Sequence, residues 1–262
     1  SHHCAQLGAE AYPVSAVGAD ADGAEIRQIL ASKNLPDLHV QTDPAHPTGR
    51  VNVMLRDGKP TYEILRNVAW DYIRFDENLL NLATRADAAC FGSLAQRNSA
   101  SREAIHAFLD AMRPEALRIF DINLRQDFYS REIIEFSLRR ANILKLSDEE
   151  LPVLAAMFDL PGDAPAQLRS LRELFDLRLV AYTRGGSGSI LLTASETSEH
   201  LGLPTDVIDT VGAGDSFTAT LCTGLLKNLP LAEINTRANR VAAFVCSQAG
   251  ATPTLPRHIT NS

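Results

Sequence analysis

The string Asp209-Thr-Val-Gly212-Ala213-Gly214-Asp215-Ser-Phe217 runs directly into an apolar helical stretch over 218–227. Small residues at 212–214 let the backbone turn tightly and aim successive N–H groups at one point. The helix opening there adds the positive end of its dipole, so the element can hold an anion. A carboxylate at such a site would repel phosphate, unless Asp215 accepts a proton from a hydroxyl as that hydroxyl attacks phosphorus. The amides of Gly212, Ala213 and Gly214 would then stabilise charge on the transferring group. That pairing points to phosphoryl transfer to an alcohol. Without that chemistry, the same string is a helix start whose first-turn acid is favoured by the dipole.

Three further segments carry polar groups at strand ends. Thr183-Arg184-Gly185-Gly-Ser-Gly188-Ser lies between two apolar runs and by itself is a glycine turn in a hairpin. Asp121-Ile-Asn123-Leu-Arg125 follows the apolar run ending at Phe120. Its alternate polar residues would project one way if the strand continued. They are costly to bury without partners, so they line a cleft or form a salt-bridge cluster. In Lys145-Leu-Ser147-Asp-Glu-Glu150, Ser147 and Glu150 have capping-box spacing for a helix beginning at Asp148.

Together these segments resemble the ribokinase-like (PfkB) family of carbohydrate kinases, and within it the bacterial fructokinases, from about Gly8 to Pro256. The resemblance implies an ATP-dependent kinase acting on a hydroxymethyl group of a small carbohydrate, with D-fructose first. Kinases of 2-keto-3-deoxygluconate or of nucleosides are alternatives, and a non-catalytic sugar or nucleotide sensor stands outside the class. It implies Asp215 as general base, with Thr183, Gly185 and Gly188 along the nucleotide phosphates and Arg184 reaching them. Asn239 falls at the adenine, and Lys145 and Glu150 near the nucleotide–Mg²⁺ site, Glu150 acting through water. Relatives carry Asn where Ser147 stands, so Ser147 is kept only as a helix cap. Asp121 and Asn123 would face the active site, Arg125 the phosphate, and Arg97 the substrate. Asp209 and Gly250 would flank a monovalent cation, K⁺. His46-Pro47-Thr48-Gly49 would border the sugar.

Elements able to position these groups alternate along the chain. Strands are expected at 13–17, 88–92, 117–121, 143–146 and 179–183, and helices at 22–32, 99–112, 131–139, 148–158 and 164–175. Repeated strand–helix–strand order implies an α/β fold, a mainly parallel sheet sandwiched by helices. Period-two alternation on both sides of Asp57-Gly58 reads as a hairpin. In the family such strands form a small β lid, so 40–72 is the expected lid on a nucleotide-binding core of 1–39 and 73–262. The resemblance also implies that an N-terminal strand and a sugar-gripping segment precede this chain and are missing from it. Paired lids would make a homodimer.

Bulk properties exclude other classes. The chain has 262 residues, 45% of them hydrophobic, and a formal charge of −7 without a basic run, so neither nucleic acid nor anionic membrane is an expected partner. Four scattered cysteines read as buried free thiols in a reducing cytoplasm.

Overall fold

A computed structural model describes residues 1–56 and 59–260, so the expected Asp57-Gly58 turn lies outside the described residues. In chain order the elements are α1 (His2–Gln6), β1 (Ser15–Gly18), α2 (Ala21–Ser32), β2 (Val40–Asp43), β3 (Val51–Arg56) and β4 (Lys59–Ile64). There follow α3 (Glu77–Arg85), β5 (Ala88–Phe91), α4 (Ser99–Ala111), β6 (Leu117–Asp121), α5 (Arg131–Arg140), β7 (Ile143–Ser147) and α6 (Leu151–Met157). The last are α7 (Ala164–Leu174), β8 (Leu179–Thr183), β9 (Ser189–Leu192), β10 (Thr197–His200), α8 (Ala213–Leu226), α9 (Leu231–Cys246) and α10 (Arg257–Thr260). Among the described residues no helix is long and apolar enough to cross a membrane. All four cysteines are free, but of the expected buried thiols only Cys222 is buried; Cys4 and Cys246 are half-buried and Cys90 is exposed.

The chain divides into two compact units. The larger comprises Ser1–Glu10, Arg85–Leu94 and Met112–Ser262. Its six-stranded sheet has the order β10-β9-β8-β7-β6-β5. Strands β5 to β8 are parallel, and β9 and β10 turn back antiparallel at one edge. The parallel strands are short apolar runs because both faces are covered. Strand periodicity sorts their side chains between two cores. Leu117, Ile119, Ile143, Leu179 and Ala181 pack with Phe217 and Leu221 of α8 and Ile234 and Ala238 of α9. Phe120, Leu144, Leu146 and Val180 point the other way, against Ile134 and Leu138 of α5, Leu154 of α6 and Leu168 of α7. Odd-numbered positions on β6 and β7 thus face α8. Asp121 and Lys145 have that parity, and they are the last register partners between the two strands, at the end of β6.

The smaller unit comprises Ala11–Thr84 and Ala95–Ala111. Parallel β1 and β2 form one two-stranded sheet, and antiparallel β3 and β4 form another, with Val51 opposite Ile64. Strand β2 therefore pairs outside the 40–72 segment, and the antiparallel pair consists of Val51–Arg56 and Lys59–Ile64. Ala16, Ala69, Ile73, Leu79 and Ala104 make the core of this unit. Asp20 caps α2 by accepting the Gly23 N–H at 2.8 Å, and it also accepts the Thr48 N–H at 2.8 Å and hydroxyl at 2.6 Å. His46, in the neighbouring turn, bonds Asp43 at 2.9 Å and stacks on Tyr72.

One expected boundary moves. The capping-box spacing puts a helix start at Asp148, whereas Ser147 ends β7, residues 148–150 form a turn, and α6 starts at Leu151 with Glu150 as N-cap. The reason is Pro152, which has no N–H. It is accommodated in the first turn, where no intrahelical donor is needed, but a helix begun at Asp148 would place it one turn further in.

Candidate active site

The N-terminus of α8 is built by a glycine that must be glycine. Gly212 caps the helix with φ +86°, and a Cβ there would come within 2.4 Å of the Ala251 carbonyl oxygen. Ala213 N–H donates to the Thr210 carbonyl at 3.3 Å, and Ser216 N–H closes the first helical bond onto Gly212. Among the described residues, the N–H groups of Gly212, Gly214 and Asp215 have no backbone acceptor. A helix necessarily leaves such donors at its start, and here they surround an exposed Asp215 in the first turn. The Ala213 N–H is therefore already engaged, unlike those of its neighbours.

Beneath that opening lies an ion pair. Lys145 Nζ is 3.0 Å from Asp121 Oδ1, and a methyl group added at Gly214 would meet the same Nζ at 3.2 Å. The 3.0 Å contact is poorly aligned for a hydrogen bond, so buried Oδ1 depends on the ammonium mainly for charge compensation. Asp121 Oδ2 accepts the Thr218 hydroxyl at 2.8 Å. Burial pushes the Asp121 carboxyl up from the usual range, and the Lys145 charge and the Thr218 hydroxyl pull against that rise. Thr218 is absent from the sequence-level site. Its signal was the parity of β6, which turns Asp121 toward α8, the helix carrying the threonine.

Asp121, Asn123 and Arg125 do not project together. The strand stops at Asp121, and Asn123 takes a left-handed φ of 43°, a conformation asparagine tolerates. Asp121 goes inward, while Asn123 and Arg125 are exposed, Arg125 donating to the Leu124 carbonyl. Glu150 is 9% exposed, and one of its oxygens accepts the Leu124 N–H at 2.9 Å while the other accepts the Ser147 N–H at 2.8 Å. Each oxygen keeps a lone pair able to accept a further contact. Among the described residues, no group of His, Cys, Asp or Glu converges as a metal cluster. Glu150→Ala strands two backbone donors, and the expected result in urea unfolding is a loss of about 2–4 kcal/mol.

Thr183 to Gly188 form the turn of the β8–β9 hairpin, as the glycines suggest. Gly188 has φ +85°, and a Cβ there would collide with the His200 carbonyl at 1.9 Å. Gly185 also has positive φ, and Thr183 donates to the Leu146 carbonyl at 3.3 Å. Arg184, expected to reach phosphates, instead bonds Glu199 at 2.9 Å and the His200 carbonyl at 3.3 Å. Its fork is drawn along β10 by the nearest carboxylate.

Asn239, expected at the adenine, is 8% exposed. Its amide nitrogen donates to Ser189 at 2.7 Å and to the Asn235 carbonyl at 2.8 Å, so the donor is committed to a buried network joining α9 to β9. Asp209 and Gly250 do come together, since the carboxylate accepts the Gly250 N–H at 3.1 Å and the Val211 N–H at 3.0 Å.

In the smaller unit, Arg97 departs from its expected substrate contact. Its side chain is 6% exposed and that of Asp71 is 2% exposed. The guanidinium grips Asp71 at 2.7 and 2.8 Å, donates to the Leu65 carbonyl and lies 4.0 Å over the Trp70 ring. A carboxylate buried this deeply requires a fixed cation, and Arg97 is that cation.

Comparison with known proteins identifies the family and the fold. Residues 2–258 match the pfkB family carbohydrate kinase profile. A fructokinase of Salmonella typhimurium is 28% identical over 265 residues, covering 96% of this chain and 85% of its own. An uncharacterized sugar kinase from Pyrococcus horikoshii, solved in complex with ATP, superposes with a TM-score of 0.79 at 25% identity, over 98% of this chain and 83% of its own. The aminoimidazole riboside kinase of Salmonella enterica, solved with aminoimidazole riboside and an ATP analog, gives 0.81 at 25% identity, over 99% and 88% respectively. The fold is ribokinase-like, with a mostly parallel central sheet flanked by helices.

Proposed function

The chain belongs to the pfkB family of carbohydrate kinases, and from that premise we propose that it transfers the terminal phosphoryl group of ATP to a hydroxymethyl group of a small carbohydrate, D-fructose first. The observation that carries this reading is Asp215, exposed on the first turn of α8 beside amides that have no backbone acceptor.

Asp215 takes the proton of the sugar hydroxyl as its oxygen attacks phosphorus. The Gly212, Gly214 and Asp215 amides and the positive end of the α8 dipole face the charge that develops on the phosphoryl oxygens. Lys145 adds a cation at the same opening. Mg²⁺ bound with the nucleotide would neutralise phosphate charge, held mainly by phosphates and water with Glu150 reached through water. Thr183, Gly185 and Gly188 are assigned to the nucleotide phosphates, and Asp209 with Gly250 to a monovalent cation. Asn123 and Arg125, both exposed, remain assigned to substrate and phosphate.

The β3–β4 hairpin within 40–72 is assigned as a lid that keeps water from competing with the sugar hydroxyl. Pairing of two such hairpins would give a homodimer, and sedimentation as a monomer alone would overturn that part. Coupled ADP release should appear with fructose ahead of ribose, 2-keto-3-deoxygluconate and adenosine. Release fastest with another of these moves the substrate assignment there. No release with any of them replaces catalysis by sensing.

A further inference from the structure

Helix α8 contains three threonines whose hydroxyls behave differently. Thr220 donates to the Ser216 carbonyl at 2.9 Å and Thr223 to the Ala219 carbonyl at 2.9 Å, the usual bond to the preceding turn. Thr218 does not follow this habit. It is 4% exposed, and its hydroxyl crosses to β6 and donates to Asp121. The other oxygen of Asp121 holds Lys145, whose ammonium sits against Gly214 at the helix mouth. Thr218 lies three residues beyond Asp215, on the face of α8 that carries Phe217 and Leu221 into the sheet.

We propose that Thr218 is a positioning residue for phosphoryl transfer, acting through Asp121 to hold the Lys145 ammonium at the N-terminal opening of α8. The inference rests on the kinase reading of that opening and names a residue that reading does not use. Lys145 is a flexible side chain with four rotatable methylenes, so its charge is useful at the pocket only if something fixes it there. Asp121 supplies the anchor, but a largely buried carboxylate with one oxygen shut off from solvent keeps its charge only with support. Lys145 gives that support without hydrogen-bond alignment, and the Thr218 hydroxyl provides a well-directed bond at 2.8 Å. Loss of that bond weakens the anchor and lets the ammonium wander, although nothing near Asp215 has been altered.

The test compares Thr218→Val, which keeps the shape and removes the hydroxyl, with Thr218→Ser, which keeps the hydroxyl. In full-length protein, T218V should lower kcat/KM for ATP by about 10-fold, the scale of one hydrogen bond to a charged group, while T218S stays near wild type. The KM for the sugar should not move. In a Lys145→Met background T218V should cost nothing further, an outcome that a merely structural threonine would not produce. T218A carries the same expectation should T218V fail to fold. Wild-type ATP kinetics in T218V, or an equal loss with and without Lys145, overturns the proposal. A wild type that neither binds ATP in calorimetry nor phosphorylates any sugar overturns the kinase reading along with it, and that failure is visible before any variant is made.

Discussion

Asp215→Asn should bind ATP about as tightly as the wild type and turn over about 10²- to 10⁴-fold more slowly, the usual contribution of one positioned proton acceptor. The substitution keeps the size of the side chain and its place on an exposed first turn, so little else should change. It also removes a negative charge from beside an anion pocket, which argues against any loss of nucleotide affinity. Calorimetric titration with ATP and single-turnover transfer separate the two quantities. If binding is lost and the chemical step is not, Asp215 serves the nucleotide rather than the sugar hydroxyl. Retention of most turnover removes it from the mechanism.

Arg97→Leu should destabilise the protein by about 3–5 kcal/mol, because it leaves Asp71 charged and buried without its cation. The residual partner of Asp71, the Val68 N–H at 3.3 Å, is too weak a donor to replace two guanidinium bonds. Adding Asp71→Leu to Arg97→Leu should recover much of the loss, since apolar replacement of a buried pair is often neutral or better. Unfolding in urea of both variants checks the sign of the coupling. An Arg97→Leu protein of unchanged stability with a raised KM for the sugar would restore the substrate contact that the burial of Arg97 speaks against.

Much of the larger unit was legible because its signals are local. Strands β6 and β8 have the bounds that their apolar runs suggest, and α5 and α7 end within a residue of expectation. The Gly212-Ala213-Gly214 run announced a helix mouth for the same reason. Side-chain direction was less accessible, because it depends on what lies across the sheet. Alternate polar residues after Phe120 pointed one way only on the premise of a continuing strand. A left-handed Asn123 breaks that premise. Arg97, Arg184 and Asn239 each have donors that suit a ligand, yet each is engaged within the fold by a partner remote in sequence: Asp71, Glu199 and Ser189. Thr218 was invisible alone, and β6 parity makes sense of it only once α8 is known to cover that face. Pro152, by contrast, was a local signal that the capping-box reading passed over, and it would have moved the start of α6 from Asp148 to Leu151.

Glu150 has a further consequence for how the two charged strand ends behave over time. One carboxylate fastens the chain just after β6 to the last residue of β7. Asp121, which ends β6, and Lys145, two residues before the end of β7, therefore sit on segments that cannot drift apart independently. If Lys145 serves the phosphoryl group as proposed, its spacing from Asp121 is set when the chain folds, and little reorganisation would remain for the reaction step. Loosening that fastening should broaden the range of lysine positions well before it unfolds anything.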